Sequence, residues 1–186
     1  ALRAHMPLVP LIAHPSTPSQ AVQRLSAEAV YSGGELGFRF IIEGDLSSLR
    51  IPEDSENKRT DNLWRRTCFE AFLKSNGADD YLEFNFSPSG EWAAYSFSGY
   101  REGMREAAID APILKFEQGG GRAMLSAAVP RMAPGAADKS APLQLALSAV
   151  IEAVDGSISY WALAHPSPSP DFHHPRSFAH TLKRDA

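Results

Sequence analysis

Short runs in which hydrophobic and polar residues alternate occur along most of this 186-residue chain, and turn-forming residues separate them. Gly33 and Gly34 lie directly before one such run, and paired glycines supply the positive φ that a tight hairpin turn requires. Asp155–Gly156 and the three glycines at 119–121 indicate two further hairpins. The pattern predicts about ten strands, at residues 21–31, 35–43, 68–74, 81–87, 91–98, 113–117, 122–129, 143–154, 157–164 and 178–183.

The predicted elements are almost all strands, and this decides the fold class. Short strands at even spacing with little helix are typical of an all-β protein, an antiparallel β-sandwich. Residues 99–110 are the one candidate for a short helix or an irregular crossover, and residues 130–142 are predicted to form a loop. We expect a proline-containing lead-in at residues 1–20 and a single sandwich domain at residues 21–186.

Two neighbouring predicted strands carry polar side chains on faces that are otherwise apolar. In residues 81–86, alternation places Glu83 and Asn85 on one face and large hydrophobic side chains on the other. Glu70 shares a face of the preceding strand with apolar side chains. Because buried carboxyl and amide groups are costly without partners, these residues predict a polar patch on a half-buried sheet. A solvent-facing surface or a structural ion pair with an arginine would give the same pattern.

Aromatic and basic residues lie near this patch in the sequence. Trp64, Arg65 and Arg66 precede the strand that begins at residue 68, and Tyr95 lies two strands later. Rings stack on the C–H faces of sugars, and carboxyl, amide and guanidinium groups hydrogen-bond with hydroxyl groups. The combination favours recognition of a neutral, polyhydroxylated ligand over cleavage of a bond.

Three stretches, taken in order, resemble the family 9 carbohydrate-binding modules, and more specifically the bacterial DOMON-like proteins related to them. They are CFEAFL from residue 68, YLEFNFSPSGEWAAYSF from residue 81 and YWALAHPSPSPDFHHPRSF from residue 160. The resemblance extends over residues 31–183, nearly the whole chain. It implies a jelly-roll-like β-sandwich that binds a saccharide on a concave sheet face and catalyses no reaction.

The resemblance also implies a set of ligand-binding residues. Trp64 matches the first of two rings that clamp a saccharide, and Phe172 falls where the second ring lies, with His173 beside it. Glu70 and Asn85 match polar residues of the sheet. The pattern of the strands and the neighbouring sequence complete the predicted set with Arg65, Arg66, Glu83 and Tyr95.

Other classes of function stay open at this point. Glu70 and Glu83 form a pair of carboxyl groups, which raises glycoside hydrolysis, but nothing in the sequence distinguishes an acid from a base. Other branches of the DOMON superfamily bind haem, and imidazole and thioether groups are common ligands. The candidates for haem or metal ligands are His165, His173, His174, His180, Met104, Met124 and Met132. A structural or protein-interaction sandwich is a further alternative. We predict no enzyme activity and no cofactor, with calcium or haem as the exceptions to test.

Composition and charge exclude several partners. The net charge is −4 and the basic residues are scattered, which gives no support for nucleic-acid binding. No apolar run approaches the roughly 20 residues of a membrane span. Cys68 is the only cysteine, so an internal disulfide and a cysteine-based zinc cluster are excluded, and we expect this thiol to be buried. The first residues lack signal-peptide features, which predicts a cytoplasmic location unless a secretion signal has been removed.

Overall fold

The computed structural model describes residues 3–130 and 141–183. Within these residues the chain forms twelve strands, three single-turn 3-10 helices and no α-helix, which confirms the predicted all-β class. The strands are β1 (Arg3–Ala13), β2 (Val22–Ser32), β3 (Glu35–Gly44), β4 (Cys68–Ser75), β5 (Tyr81–Phe86), β6 (Trp92–Phe97), β7 (Arg105–Glu106), β8 (Ile113–Gly119), β9 (Arg122–Val129), β10 (Leu143–Glu152), β11 (Ile158–Ala162) and β12 (His180–Leu182). The 3-10 helices span Leu46–Ser48, Leu63–Arg65 and Pro175–Ser177. No helix in this part of the chain is long and apolar enough to cross a membrane.

The strands pair antiparallel in two sheets that are joined through β1. Sheet A has the order β1-β2-β3-β9-β8, and sheet B has the order β7-β6-β5-β4-β10-β11, with β12 also paired to β10. The last two residues of β1, Ile12 and Ala13, pair with Ala162 and Trp161 of β11. The sandwich is therefore joined along one side, and β7 and β8 are the edge strands of the other side.

The hydrophobic core lies between the inner faces of the two sheets. Alternate side chains of each strand enter it, and Phe40 of sheet A packs against Phe69 of sheet B with ring centroids 5.1 Å apart. Burying a side chain of this size contributes roughly 1.5–3 kcal/mol. Phe84 and Phe86 of β5 are fully buried on this inner face. Alternation along β5 consequently turns its polar residues to the opposite, outer face of sheet B.

All ten predicted strands are present, with ends that shift by a few residues, but two strands, β1 and the two-residue β7, were not predicted. Strand β1 lies within the segment expected to be a lead-in, where Pro7 and Pro10 argue against a strand. The structure accommodates these prolines because β1 pairs with β2 along one side and with β11 only at its end, and its register shifts between Met6 and Val9. A missing N–H is tolerated at a bulge or a free edge.

The irregular segment at residues 99–110 forms no helix. It contains β7, which pairs with Tyr95 and Ser96 of β6, so the alternative of an irregular crossover is confirmed. Most of the loop predicted at residues 130–142 lies outside the described residues.

Candidate functional site

The outer face of sheet B carries polar side chains in adjacent rows. Strand register aligns Ser148 of β10, Glu70 of β4 and Asn85 of β5 across the sheet, and we call these three residues the polar row. The next row contains Glu83 of β5 and Tyr95 of β6. Glu70 and Glu83 are therefore diagonal neighbours on adjacent strands. All five side chains are buried, although they lie on the face that points away from the core.

Hydrogen bonds within these rows leave one buried acceptor without a partner. Asn85 Nδ2 donates to Oε1 of Glu83 at 3.0 Å, and Ser148 Oγ donates to Oε2 of Glu70 at 3.4 Å. Asn85 has no exposed surface, and its Oδ1 has no hydrogen-bond partner among the described residues. Leaving such a group unpaired costs about 1–3 kcal/mol, so this oxygen is a point where a donor from outside the protein would bind favourably.

The two carboxyl groups favour their neutral forms. Burial, and then the nearby Glu83 carboxyl, raise the pKa of Glu70 well above its ordinary value. Burial also raises the pKa of Glu83 to about 7, against the opposing effects of the Asn85 amide and the Arg101 charge. Both shifts have the same direction, and burial is the largest cause of each.

His173, from the loop that follows β11, lies over these rows. Its Nδ1 is 2.7 Å from the hydroxyl oxygen of Tyr81, and its Nε2 is 3.6 Å from Oε2 of Glu83. The ring packs edge-on against Phe72 and Phe97, with centroids 5.1 Å away in each case. Burial lowers the pKa of His173 to about 4, so the ring is neutral at neutral pH. The contacts are satisfied when Nδ1 accepts from Tyr81 and Nε2 carries the proton that faces Glu83.

Asp171 holds this loop against the segment after β6. Arg101 Nη2 donates to Oδ1 of Asp171 at 2.7 Å, and Tyr100 donates to Oδ2 at 2.6 Å. Although partial burial acts in the opposite direction, these two hydrogen bonds keep the pKa of Asp171 below its ordinary value. The backbone N–H of Arg101 also donates to the Tyr81 hydroxyl at 3.2 Å. Residues 100 and 101 therefore link the loop to the outer face of sheet B.

Trp64 lies beside this face in the 3-10 helix Leu63–Arg65, and 47% of the residue is exposed. Leu63 packs against the apolar side chains of the outer face, which fixes the turn next to the sheet. The guanidinium carbon of Arg65 is 5.3 Å from the Trp64 ring centroid, within the range of a cation–π contact. Arg66 is exposed to solvent. The turn thus presents an accessible ring at the margin of the covered rows.

Two further predicted residues make contacts within the protein. The Tyr95 hydroxyl donates to Oδ1 of Asp61, and burial raises the pKa of Tyr95. Phe172 is half-buried and packs edge-on against Tyr160, with ring centroids 5.9 Å apart.

The structure therefore groups most, but not all, of the predicted site residues. Those on or over the outer face of sheet B are Glu70, Glu83, Asn85, Tyr95 and His173. Trp64, Arg65 and Arg66 belong to the flanking turn, and Phe172 packs from the loop against the apolar side chains of the same face. The binding roles of all the predicted site residues stay predictions. The sequence analysis missed Ser148, because only the pairing of β10 with β4 places it beside Glu70.

Comparison with known proteins gives a structural relationship but no sequence family. No protein-family model matches the sequence, and no curated protein matches it. Among solved structures, it is similar to a proposed carbohydrate-binding protein from Bacteroides uniformis ATCC 8492, with a TM-score of 0.67 and 15% identity over 95% of this chain and 84% of that one. A family 9 carbohydrate-binding module from Caldicellulosiruptor kristjanssonii, solved with glucose, has a TM-score of 0.52 and 9% identity over 90% of this chain and 78% of that one.

This chain has the fold of a family 9 carbohydrate-binding module. The predicted resemblance is confirmed at the level of the fold, which is what identities this low can show. The DOMON part of the prediction stays a prediction.

The metal and haem alternative stays a prediction. The described residues contain no group of three or more His, Cys, Asp or Glu side chains placed to hold a metal ion. His165 Nε2 hydrogen-bonds to the carbonyl oxygen of Ile12 at 2.6 Å, and His173 contacts Tyr81 and Glu83. Through these contacts the two histidines anchor their loops to the strands. Met132 lies outside the described residues.

Proposed function

We propose that this chain binds a saccharide at the outer face of sheet B and does not cleave it. The observation that carries the proposal is the buried Oδ1 of Asn85, which has no partner among the described residues. It lies directly opposite Glu70 and beside Glu83, so one small area offers an amide oxygen and two carboxyl groups. A sugar hydroxyl can donate to the amide oxygen and exchange hydrogen bonds with either carboxyl group.

The exposed ring of Trp64 supports the same ligand class. It is a flat apolar surface beside a polar area, and the C–H face of a pyranose ring can stack on it while the hydroxyl groups reach polar partners. The fold similarity to a glucose-bound module adds support, because the two chains match over most of their lengths. Fold similarity does not by itself determine a ligand, so the proposal depends on the Asn85 and Trp64 observations.

Access to the polar row is part of the proposal. Glu70, Asn85 and Ser148 are buried, and His173 and Leu63 pack over the neighbouring side chains of the same face. A ligand that stacks on Trp64 reaches the polar row only if the 171–178 loop or the turn at residues 63–65 moves. One of the contacts that hold the loop is the partly exposed ion pair between Arg101 and Asp171, a type of contact that contributes about 0–1 kcal/mol.

The charge states of Glu70 and Glu83 favour binding over hydrolysis. A glycosidase of the usual type requires one carboxyl group that stays ionised and one that stays protonated. Burial opposes the ionisation of both groups here, and His173 covers Glu83, with its Nε2 3.6 Å from Oε2. We therefore propose a non-catalytic role.

The test is titration with a panel of neutral mono- and oligosaccharides, followed by tryptophan fluorescence and by calorimetry. Of the three tryptophans, all in the described part of the chain, Trp64 is exposed and Trp92 and Trp161 are buried. A ligand that stacks on Trp64 should therefore change the emission strongly. Trp64→Ala should abolish the response and lower the affinity at least about tenfold, whereas Trp64→Phe should retain part of it.

One control variant and one further variant of the site make the outcome decisive. Leu8→Ala removes an exposed apolar side chain from the part of β1 that pairs with β2 in sheet A and should leave the affinity unchanged. Calorimetry of Asn85→Leu, which removes the unpaired Oδ1 together with the Nδ2 donor to Glu83, should show loss of binding in a variant that stays folded. A panel without binding, or unchanged affinity in both Trp64→Ala and Asn85→Leu, would refute the proposal. An absorbance scan for a Soret band tests the haem alternative on the same sample.

A further inference from the structure

Strand β8, Ile113–Gly119, is the outer edge of sheet A. It pairs with β9 on one side, and no strand among the described residues covers its other side. It has seven residues, whereas β7, the edge of sheet B, has two. A long unpaired edge exposes a row of backbone N–H and C=O groups to which another strand can pair.

The two charged side chains of β8, one positive and one negative, lie on either side of a central phenylalanine. Lys115 and Glu117 share the exposed face, and Phe116 lies between them on the other face, half-buried. Within one chain, Lys115 Nζ is 2.9 Å from Oε1 of Glu117. At the start of the strand, 73% of Ile113 is exposed, which makes it the most exposed of the large hydrophobic residues in the described part of the chain.

The charged side chains of two antiparallel β8 strands are complementary in one register. When two copies of β8 run antiparallel with Phe116 opposite Phe116, Lys115 of each copy is opposite Glu117 of the other. The same register puts Ile113 opposite Gly119, which has no side chain to clash with it. Moving the centre by one residue in either direction puts lysine opposite lysine or glutamate opposite glutamate, and like charges directly opposite each other are unfavourable.

We propose that two copies of this chain associate through antiparallel pairing of β8 with β8, centred on Phe116. The interface is isologous, so each complementary contact occurs twice about a two-fold axis. Sheet A then continues from one copy into the other, and backbone hydrogen bonds satisfy the groups that the edge exposes.

Apolar surface on the inner side of β8 adds to the driving force. Leu114 and Phe116 line an open cleft of about 430 Å³, together with Ile51, Pro52 and Pro88. Segment 51–54 therefore leaves these β8 side chains partly uncovered. In the proposed register the two Phe116 rings meet at the two-fold axis and cover each other's apolar surface.

The experiment uses complementary charge variants of the whole chain and analytical ultracentrifugation over a concentration series. Lys115→Glu alone places glutamate opposite glutamate in the proposed pair, and Glu117→Lys alone places lysine opposite lysine. Each variant should be monomeric, or should show a dissociation constant at least about tenfold above that of the wild type. A one-to-one mixture should dimerise again, because every cross-strand pair is then a lysine with a glutamate.

Restoration in the mixture is a result that misfolding of either variant cannot produce. Lys183→Glu, at an exposed position directly after β12 of sheet B, is the matched charge control and should dimerise like the wild type. A wild type that stays monomeric up to about 0.5 mM, a weaker association than specific interfaces normally show, overturns the proposal. So does a wild-type dimer that either single variant leaves intact, or a mixture that stays monomeric. The test is independent of saccharide binding, since β8 belongs to sheet A and the candidate site to sheet B.

Discussion

Glu83 on strand β5 and His173 in the loop after β11 face each other, with Oε2 and Nε2 3.6 Å apart. Burial displaces their pKa values in opposite directions, that of Glu83 up to about 7 and that of His173 down to about 4. Between these two pH values both groups are mainly uncharged, so a contact that resembles an ion pair joins a neutral carboxyl group and a neutral ring. The loop is therefore held over the sheet by packing and neutral hydrogen bonds, together with the Asp171 anchor.

Glu83→Gln should change the pH dependence of stability. Between pH 4.5, the ordinary pKa of the group, and about 7, the folded state keeps a proton that the unfolded chain has released. Wild-type stability should therefore fall as the pH rises through this window. The amide keeps the shape and cannot titrate, so the variant should gain stability relative to the wild type as the pH rises, by at most roughly 3 kcal/mol.

Urea unfolding followed by circular dichroism across this pH range measures the difference. His173 acts with the opposite sign, since its pKa of about 4 lies below its ordinary value of 6.5, so its contribution is lost as the pH falls through that range. It is present in both proteins and largely cancels in the comparison. Glu56→Gln, at an exposed position, is the control. Parallel pH profiles for the wild type and Glu83→Gln would show that Glu83 ionises normally.

Asp171→Asn should loosen the loop over the outer face without unfolding the sandwich. The variant keeps the size of the side chain and weakens its charge-assisted hydrogen bond to Arg101. Because that pair is partly exposed, we expect a loss of overall stability of about 0–1 kcal/mol. Amide hydrogen exchange in residues 172–178 should become several-fold faster.

Added salt should produce part of the same change in the wild type, because it screens the exposed pair. Glu43→Gln removes a comparable exposed ion pair with Arg24 in sheet A and should leave exchange in the loop unaltered. Equal exchange rates in Asp171→Asn and the wild type would show that the Arg101–Asp171 pair does not hold the loop.

Gly44→Ala should destabilise the protein far more than Gly33→Ala. Gly44 has a φ of +153°, and a Cβ built there would lie 2.1 Å from the carbonyl oxygen of Ala21. Gly33 has a φ of +61°, and no atom lies within 4 Å of the corresponding position. We expect a loss of about 3 kcal/mol or more at residue 44, from backbone displacement, and about 1 kcal/mol at residue 33. Similar losses in thermal unfolding would contradict the close approach at Gly44.

Trp64→Ala should leave the stability within about 0.5 kcal/mol of the wild type, because much of the ring is exposed. Trp92→Ala, at a residue that is 4% exposed and packs in the core, should cost about 3–5 kcal/mol. Chemical denaturation of the two variants checks this contrast. A large loss in Trp64→Ala would mean that the ring supports the fold, and its effect on saccharide binding would then not report stacking.

The strands of the sandwich follow from local pattern, and so does the face on which Glu83 and Asn85 lie. Alternation has a period of two in any strand, so the large phenylalanines of β5 determine where its polar residues point. The strand β1 escaped prediction because Pro7 and Pro10 break the local signal, whereas their acceptability depends on an edge that exists only in the folded sheet.

The composition of the site could be predicted in part, and its covered state could not. Glu70 and Asn85 are identifiable as polar residues in apolar strands, but Ser148 joins them only through the long-range pairing of β10 with β4. Likewise, nothing in the local sequence of the loop shows that His173 lies on Glu83. Local rules predict which side chains share a face, whereas the contacts that cover the face depend on the whole topology.

The thiol of Cys68 can report on opening of the outer face of sheet B. It is the only thiol in the chain, it has no exposed surface, and it lies on β4 two residues before Glu70, on the same face. A thiol-specific reagent can reach the sulfur of Cys68 only while the segments that cover the outer face of sheet B are displaced. The rate of labelling under native conditions would therefore report how often, or for what fraction of the time, this face is open, with no engineered probe, and a bound ligand that keeps the face closed would slow it.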